Sequence, residues 1–199
     1  MLLFDDSRDV FRVEVQPNPA DLMRAKKALD NGGAKARRQI INALNRTGRY
    51  ARRQLVQGAR ATYAFKPGFR IGNEKQLKMD TASPAHLNVV LKSTGRTRTL
   101  NEFLVEDTGD GLSAAVLKGE GLKALINNAG NKAFGYPTNN GKLPAQREGK
   151  PRKPVKVLHG PSEPKMFEMI WKGEHGGPPM GPPTRKRLHN ELKKGFKSL

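Results

Sequence analysis

Across residues 34–62, Ile40, Leu44, Thr47, Ala51 and Leu55 return at steps of three and four, a period that lines up on one side of an α-helix. Such a stripe has to bury against another layer, because a lone helix in water is held together mostly by the packing of its apolar face. At about 100° per residue, Lys35, Arg38, Arg46, Arg49, Arg53 and Arg60 gather on the opposite side. No Asp or Glu lies between residues 31 and 73 to neutralise them. A charge run is usually solvated surface, but solvated faces interleave acids to limit repulsion. Their complete absence points to an anionic partner, either DNA or an acidic protein surface.

The period changes on both sides of this helix. Phe11, Val13 and Val15 alternate with Arg12, Glu14 and Gln16, the pattern of a half-buried strand closed by Pro17 and Pro19. A short helical pattern follows, with Asn18 or Asp21 able to cap it, and "DNGG" at 30–33 predicts a turn or a kink. Beyond residue 85, Leu87, Val89 and Leu91 predict one strand and Leu112, Ala114 and Val116 another, with Asp110-Gly111 as a hairpin signal between them. Further strands are expected over 132–136, within 142–147 and over 154–158, the chain reversing at "NNG", 139–141. Helix returns in "PKMFEMIWK", stops at the Gly/Pro stretch 176–183, and resumes with Leu188, Leu192 and Phe196 four apart. The stretch 176–183 reads as a semi-rigid extended strap carrying the last helix onto a neighbour. The expected fold class is therefore α+β: a long basic amphipathic helix packed on a small antiparallel sheet with long loops and a C-terminal helical arm. By sequence position the chain divides into an N-terminal strand and short helix (1–33), an α+β core (34–175) and a strap with the final helix (176–199).

Hydrophobic residues make up only 36% of the 199 and aromatics 6%, while 21 Gly and 14 Pro punctuate the backbone, so the core is lean and loops are long. With no cysteine there is neither a disulfide nor a thiolate ligand, so stability must come from packing and from neighbouring subunits. No apolar run reaches the roughly 18 residues of a membrane span, and "MLLFDDSRDV" sets an apolar pair directly against acids, unlike a signal peptide. A formal charge of +19 calls for polyanionic partners.

Catalytic and metal chemistry find little support. His86, His159, His175 and His189 are scattered, with no pair at one-turn spacing, so neither a metal nor a cofactor is expected. The oxygens of Glu106, Asp107 and Asp110 lack the distal Glu of a calcium loop and read as an exposed turn. "STGRTR" places Arg96 and Arg98 at a basic loop tip that, with one lone glycine, only weakly suggests a phosphate site. His159 and Ser162 raise the question of a base and a nucleophile, yet no strand-elbow glycine pattern surrounds the serine. The structural reading of "HGPSEPKM" is stronger. Gly160 frees the chain from a strand, Pro161 stiffens the exit, Ser162 caps the next helix and Pro164 fits its first turn, delivering Met166 to an interface.

The order of these segments resembles a known family. "IINALNRTGRYARRQL", "LKSTGRTRTL", "GLSAAVLKGEGLKAL", "KAFGY" and above all "REGKPRKPVKVLHGPSEPKM" are similar to the lambda-type minor tail protein Z family of tailed phages and prophages, over about 34–166. The resemblance implies an α+β tail-completion subunit in the virion, made in the host cytoplasm and placed at the head-proximal end of the tail. It implies a homo-oligomeric ring, a hexamer in the family pattern, contacting a tail terminator or tail tube protein and the head-tail connector, with genomic DNA in the channel. The N-terminal strand, the strap and the last helix have no counterpart in that resemblance. The alternative drawn from charge alone is a free, sequence-nonspecific nucleic-acid-binding protein; Tyr50 and Tyr63 are too few in the basic helix to suggest base readout.

Overall fold

The computed structural model describes residues 9–73, 75–139 and 141–197; the apolar-acidic stretch at residues 1–8 lies outside them. The chain is α+β. In order it runs β1 (Asp9–Val15), α1 (Pro19–Thr62), β2 (Lys78–Asp80), β3 (Val89–Gly95), β4 (Arg98–Thr99), β5 (Leu104–Asp107) and β6 (Leu112–Ala115). It continues through β7 (Lys123–Ala124), β8 (Phe134–Thr138), β9 (Gly141–Arg147), β10 (Val155–Val157), β11 (His159–Gly160), α2 (Glu163–Lys172) and α3 (Gly181–Phe196). Contacts group these elements into two compact units that interleave along the chain.

One unit holds Val10–Gln57, Gly72–Thr94 and Pro164–Leu199. Its sheet has the order β1-β3-β2, with β2 antiparallel to β3 through Met79 opposite Leu91. Asn18 caps α1, its Oδ1 accepting the Asp21 amide at 2.7 Å. The helix then runs on through "DNGG" with a kink at Gly33, whose φ of 51° and ψ of −127° suit glycine and no ordinary residue. Past the kink the stripe does what its period requires. Ile40, Ala43 and Leu44 are buried with Val15, Val89 and Ala82, and Thr47 returns its hydroxyl to the Ala43 carbonyl at 2.9 Å. Gly48 is where helix and sheet touch: a Cβ there would stand 2.5 Å from Val89 Cγ1. Asn45 brackets the backbone of Ala82, donating to its carbonyl at 3.2 Å and accepting its amide at 2.8 Å. Arg52 donates to the carbonyls of Leu77 and Gly72 and so ties the loop before β2 to α1.

The last helix departs from the sequence reading. Leu188 and Leu192 of α3 lie in the same core as Ile40 and Leu44, with Phe196 packed beside them, so the narrow stripe leans on its own chain. The Gly/Pro stretch is a compact turn rather than an extended strap. The Met180 amide donates to the Trp171 carbonyl at 3.0 Å, and Gly173, at φ 77°, leaves no room for a Cβ beside the backbone of 177–179. Helix restarts at Gly181 because Pro182 and Pro183 occupy its first turn, where a missing amide breaks no intrahelical bond.

The other unit comprises Asp9, Gly58–Ile71 and Gly95–Glu163. Three small sheets, β5-β6-β7, β10-β9-β8 and the pair β11-β4, are all antiparallel. The reversal expected at Asp110-Gly111 joins β5 to β6, with Asp107 opposite Leu112, and β8 meets β9 with Thr138 opposite Gly141. Aromatic rings cluster around buried Phe103: half-buried Phe65 lies 5.5 Å from Phe103 and 4.9 Å from Phe69 between ring centroids. If α3 is core in this way, Leu192→Ala lowers unfolding stability by about 2–5 kcal/mol. Urea denaturation checks it, a mobile arm predicting a change near zero.

Candidate polyanion-facing surface

The burial that orients α1 also orients its cations. Lys35, Arg38, Arg46, Arg49, Arg53 and Arg60 are all exposed. The first five belong to the unit built around β3, and Arg60 to the last helical turn in the other unit. From Lys35 to Arg53 the stripe is about 27 Å long at the α-helical rise. Among the described residues, Lys35, Arg38, Arg49 and Arg53 have no carboxylate within ion-pair distance. Desolvated side chains would need such partners; solvated ones facing a polyanion do not.

Arg46 differs. It reaches Glu191 of α3 at 3.4 Å, and Arg187 reaches the same carboxylate at 2.9 Å while lying over the Tyr50 ring, 5.6 Å from its centroid. Glu191 is the only acid of α3 and is 5% exposed. One buried carboxylate therefore locks two guanidinium groups in place along the seam of α1 and α3. Arg185, Lys186, Lys193 and Lys194 extend the positive surface along α3. Sequence reading missed this extension, because nothing local tells α3 which helix it will pack against.

The corner is closely packed. Gly160 is buried with its Cα against Phe103; a Cβ there would be 2.5 Å from Phe103 Cε2. Pro161 is half-buried, Ser162 and Met166 are fully buried, and Pro164 is buried in the first turn of α2. The Ser162 hydroxyl donates to the Asp9 carboxylate. His159 is exposed and pairs with Thr99 across β11 and β4. A hydroxyl with no exposed surface offers no approach to a substrate carbonyl, whatever acid is near it. Asp9 is 153 residues away in sequence, which is why spacing gave no sign of it.

Arg98 is not at a loop tip. Arg96 is exposed, but Arg98 lies in β4, lies over the Phe69 ring and places Nη2 2.7 Å from Glu163 Oε1 and Nη1 3.3 Å from Glu102 Oε1. The Glu163 contact is a charge contact rather than an aligned hydrogen bond. Burial pushes the Glu163 carboxyl above its ordinary range, a shift that Arg98 opposes and the nearby Glu102 charge reinforces. "STGRTR" thus spends one of its two arginines on an internal acid.

Among the described residues no helix is long and apolar enough to cross a membrane, and no three His, Asp or Glu side chains gather as metal ligands. Comparisons with protein-family models, curated proteins and solved structures returned no match.

Glu163 folds with a raised pKa, so the folded state holds its proton over a window starting near the ordinary Glu value, and stability declines as pH rises through that window. Removing the arginine sharpens the effect. Arg98→Met leaves a buried carboxylate without its cation and costs about 3–5 kcal/mol at pH 7. Most of that loss disappears at acid pH, below the raised Glu163 pKa, where the carboxyl takes up a proton. Chemical denaturation at both pH values tests this, and a loss independent of pH removes the assigned role of Glu163.

Proposed function

We propose that this protein is a structural virion subunit, a tail-completion protein like the lambda-type minor tail protein Z, placed at the head-proximal end of a phage tail. The observation that carries the proposal is the acid-free stripe Lys35–Arg38–Arg49–Arg53, set on a helix whose segment order with the 147–166 corner resembles that family. In this reading copies of the chain form a ring, hexameric in the family pattern, beside a tail terminator or tail tube protein and the head-tail connector. The stripe faces genomic DNA or an acidic neighbour. Many weak phosphate contacts suit a passage, since they hold a polyanion without fixing it in one register.

The second reading, a free sequence-nonspecific nucleic-acid-binding protein, rests on the same stripe and the +19 charge. Salt separates the two. A free binder shifts duplex DNA with a log–log salt slope of about −0.9 for each phosphate neutralised, whereas a tail subunit co-purifies with tails.

The test is Lys35→Ala/Arg38→Ala/Arg49→Ala/Arg53→Ala, chosen to leave Arg46 on Glu191. The isolated fold and its incorporation into tails stay intact, and joining of those tails to filled heads drops at least about tenfold. Unchanged joining removes the stripe from this role.

A further inference from the structure

Away from the open stripe, the first turns of α1 and the C-terminal half of α3 enclose a cleft of about 560 Å³, a size typical of ligand pockets. Its floor is Leu192 and Phe196, and its rim is Arg24, Lys27, Lys193 and Lys197. Asp21 also lines the cleft, but its carboxylate is buried and accepts a hydrogen bond from His189 Nδ1 at 2.8 Å. That bond leaves the other ring nitrogen of His189 for an occupant. Arg24 comes no nearer than 4.0 Å to Asp21, and among the described residues Lys27, Lys193 and Lys197 have no carboxylate partner.

An apolar floor inside a cationic rim suits bulky apolar side chains followed at once by carboxylates. The sequence has two such stretches. One, Leu104, Val105, Glu106 and Asp107, is already paired within β5 and β6. The other is Leu2, Leu3, Phe4, Asp5 and Asp6. We propose that residues 2–6 of a second copy of the chain seat in this cleft, the apolar side chains over Leu192 and Phe196 and the two aspartates against the rim lysines and Arg24. Donor segment and acceptor cleft are different surfaces, so a copy that donates to one neighbour can accept from another, and the contact propagates from copy to copy, closing into a ring where the rotation allows. The inference rests on the ring reading above and gives that ring its subunit contact.

The experiment uses the full chain in sedimentation velocity over a concentration series. Asp5→Lys/Asp6→Lys and Lys27→Glu/Lys193→Glu each raise the assembly midpoint at least about tenfold, with circular dichroism unchanged. The chain carrying all four substitutions, in which both charges are inverted, assembles within a few-fold of the wild type, and a synthetic peptide of residues 1–8 competes with wild-type assembly. A wild type that stays a single copy at every concentration, or assembly indifferent to both pairs, overturns the proposal. So does failure of the inverted chain to recover, or release of the bound peptide by a DNA oligonucleotide, which assigns the cleft to phosphate. Assembly through this contact by a chain missing from tail particles sinks the tail reading alone. Tail particles containing either charge-reversed variant in normal amount sink this contact alone.

Discussion

Burial of Ile40, Leu44, Ala51 and Leu55 fixes the rotation of α1 about its own axis, and everything distinctive about the surface follows from that rotation. A helix has one degree of freedom once its axis is set, and the apolar stripe consumes it. The cations on the far side cannot turn inward without pulling the stripe into water, at roughly 1.5–3 kcal/mol for each large side chain exposed. The positive surface is therefore as rigid in direction as the core is in packing. Gly48 tightens the constraint, since the Val89 side chain of β3 rests there directly on the helix backbone.

Three acids of this chain are placed where they organise arginines. Glu191 holds Arg46 and Arg187, and Glu163 and Glu102 hold Arg98. In each case the carboxylate is largely withdrawn from solvent and its partner stands closer to it. These acids fix positive groups in place, while Lys35, Arg38, Arg49 and Arg53, exposed and without such partners among the described residues, supply the field that reaches outward over a Debye length of about 8–10 Å.

How much of this was legible in the sequence depends on the range of the interaction. The strand at Phe11–Val15, the long helix, the hairpin at Asp110-Gly111 and the Gly160-Pro161 corner are local patterns, and residue period and turn chemistry reveal them. The pairing of Ser162 with Asp9, of Arg98 with Glu163 and of Arg46 with Glu191 joins residues far apart in the chain, where no spacing rule applies. The stretch 176–183 misled for another reason. Proline forbids the middle of a helix but suits its first turn, so "GGPPMGPP" reads as a long break when its last three residues are a helix start. Likewise Arg98 and Arg96 look alike in sequence, and only tertiary context separates the one that faces inward.

The packing of α3 into the core has a consequence for biosynthesis. Ribosomes release α1 long before Leu188 and Leu192 exist, so during translation its greasy side has only the sheet to shelter it. The nascent polypeptide must wait with part of its interior open, at a stage when unsatisfied apolar surface invites misassociation. Mutual repulsion among so many positive charges keeps unfinished copies apart during that interval, a service the same arginines render before any partner is met.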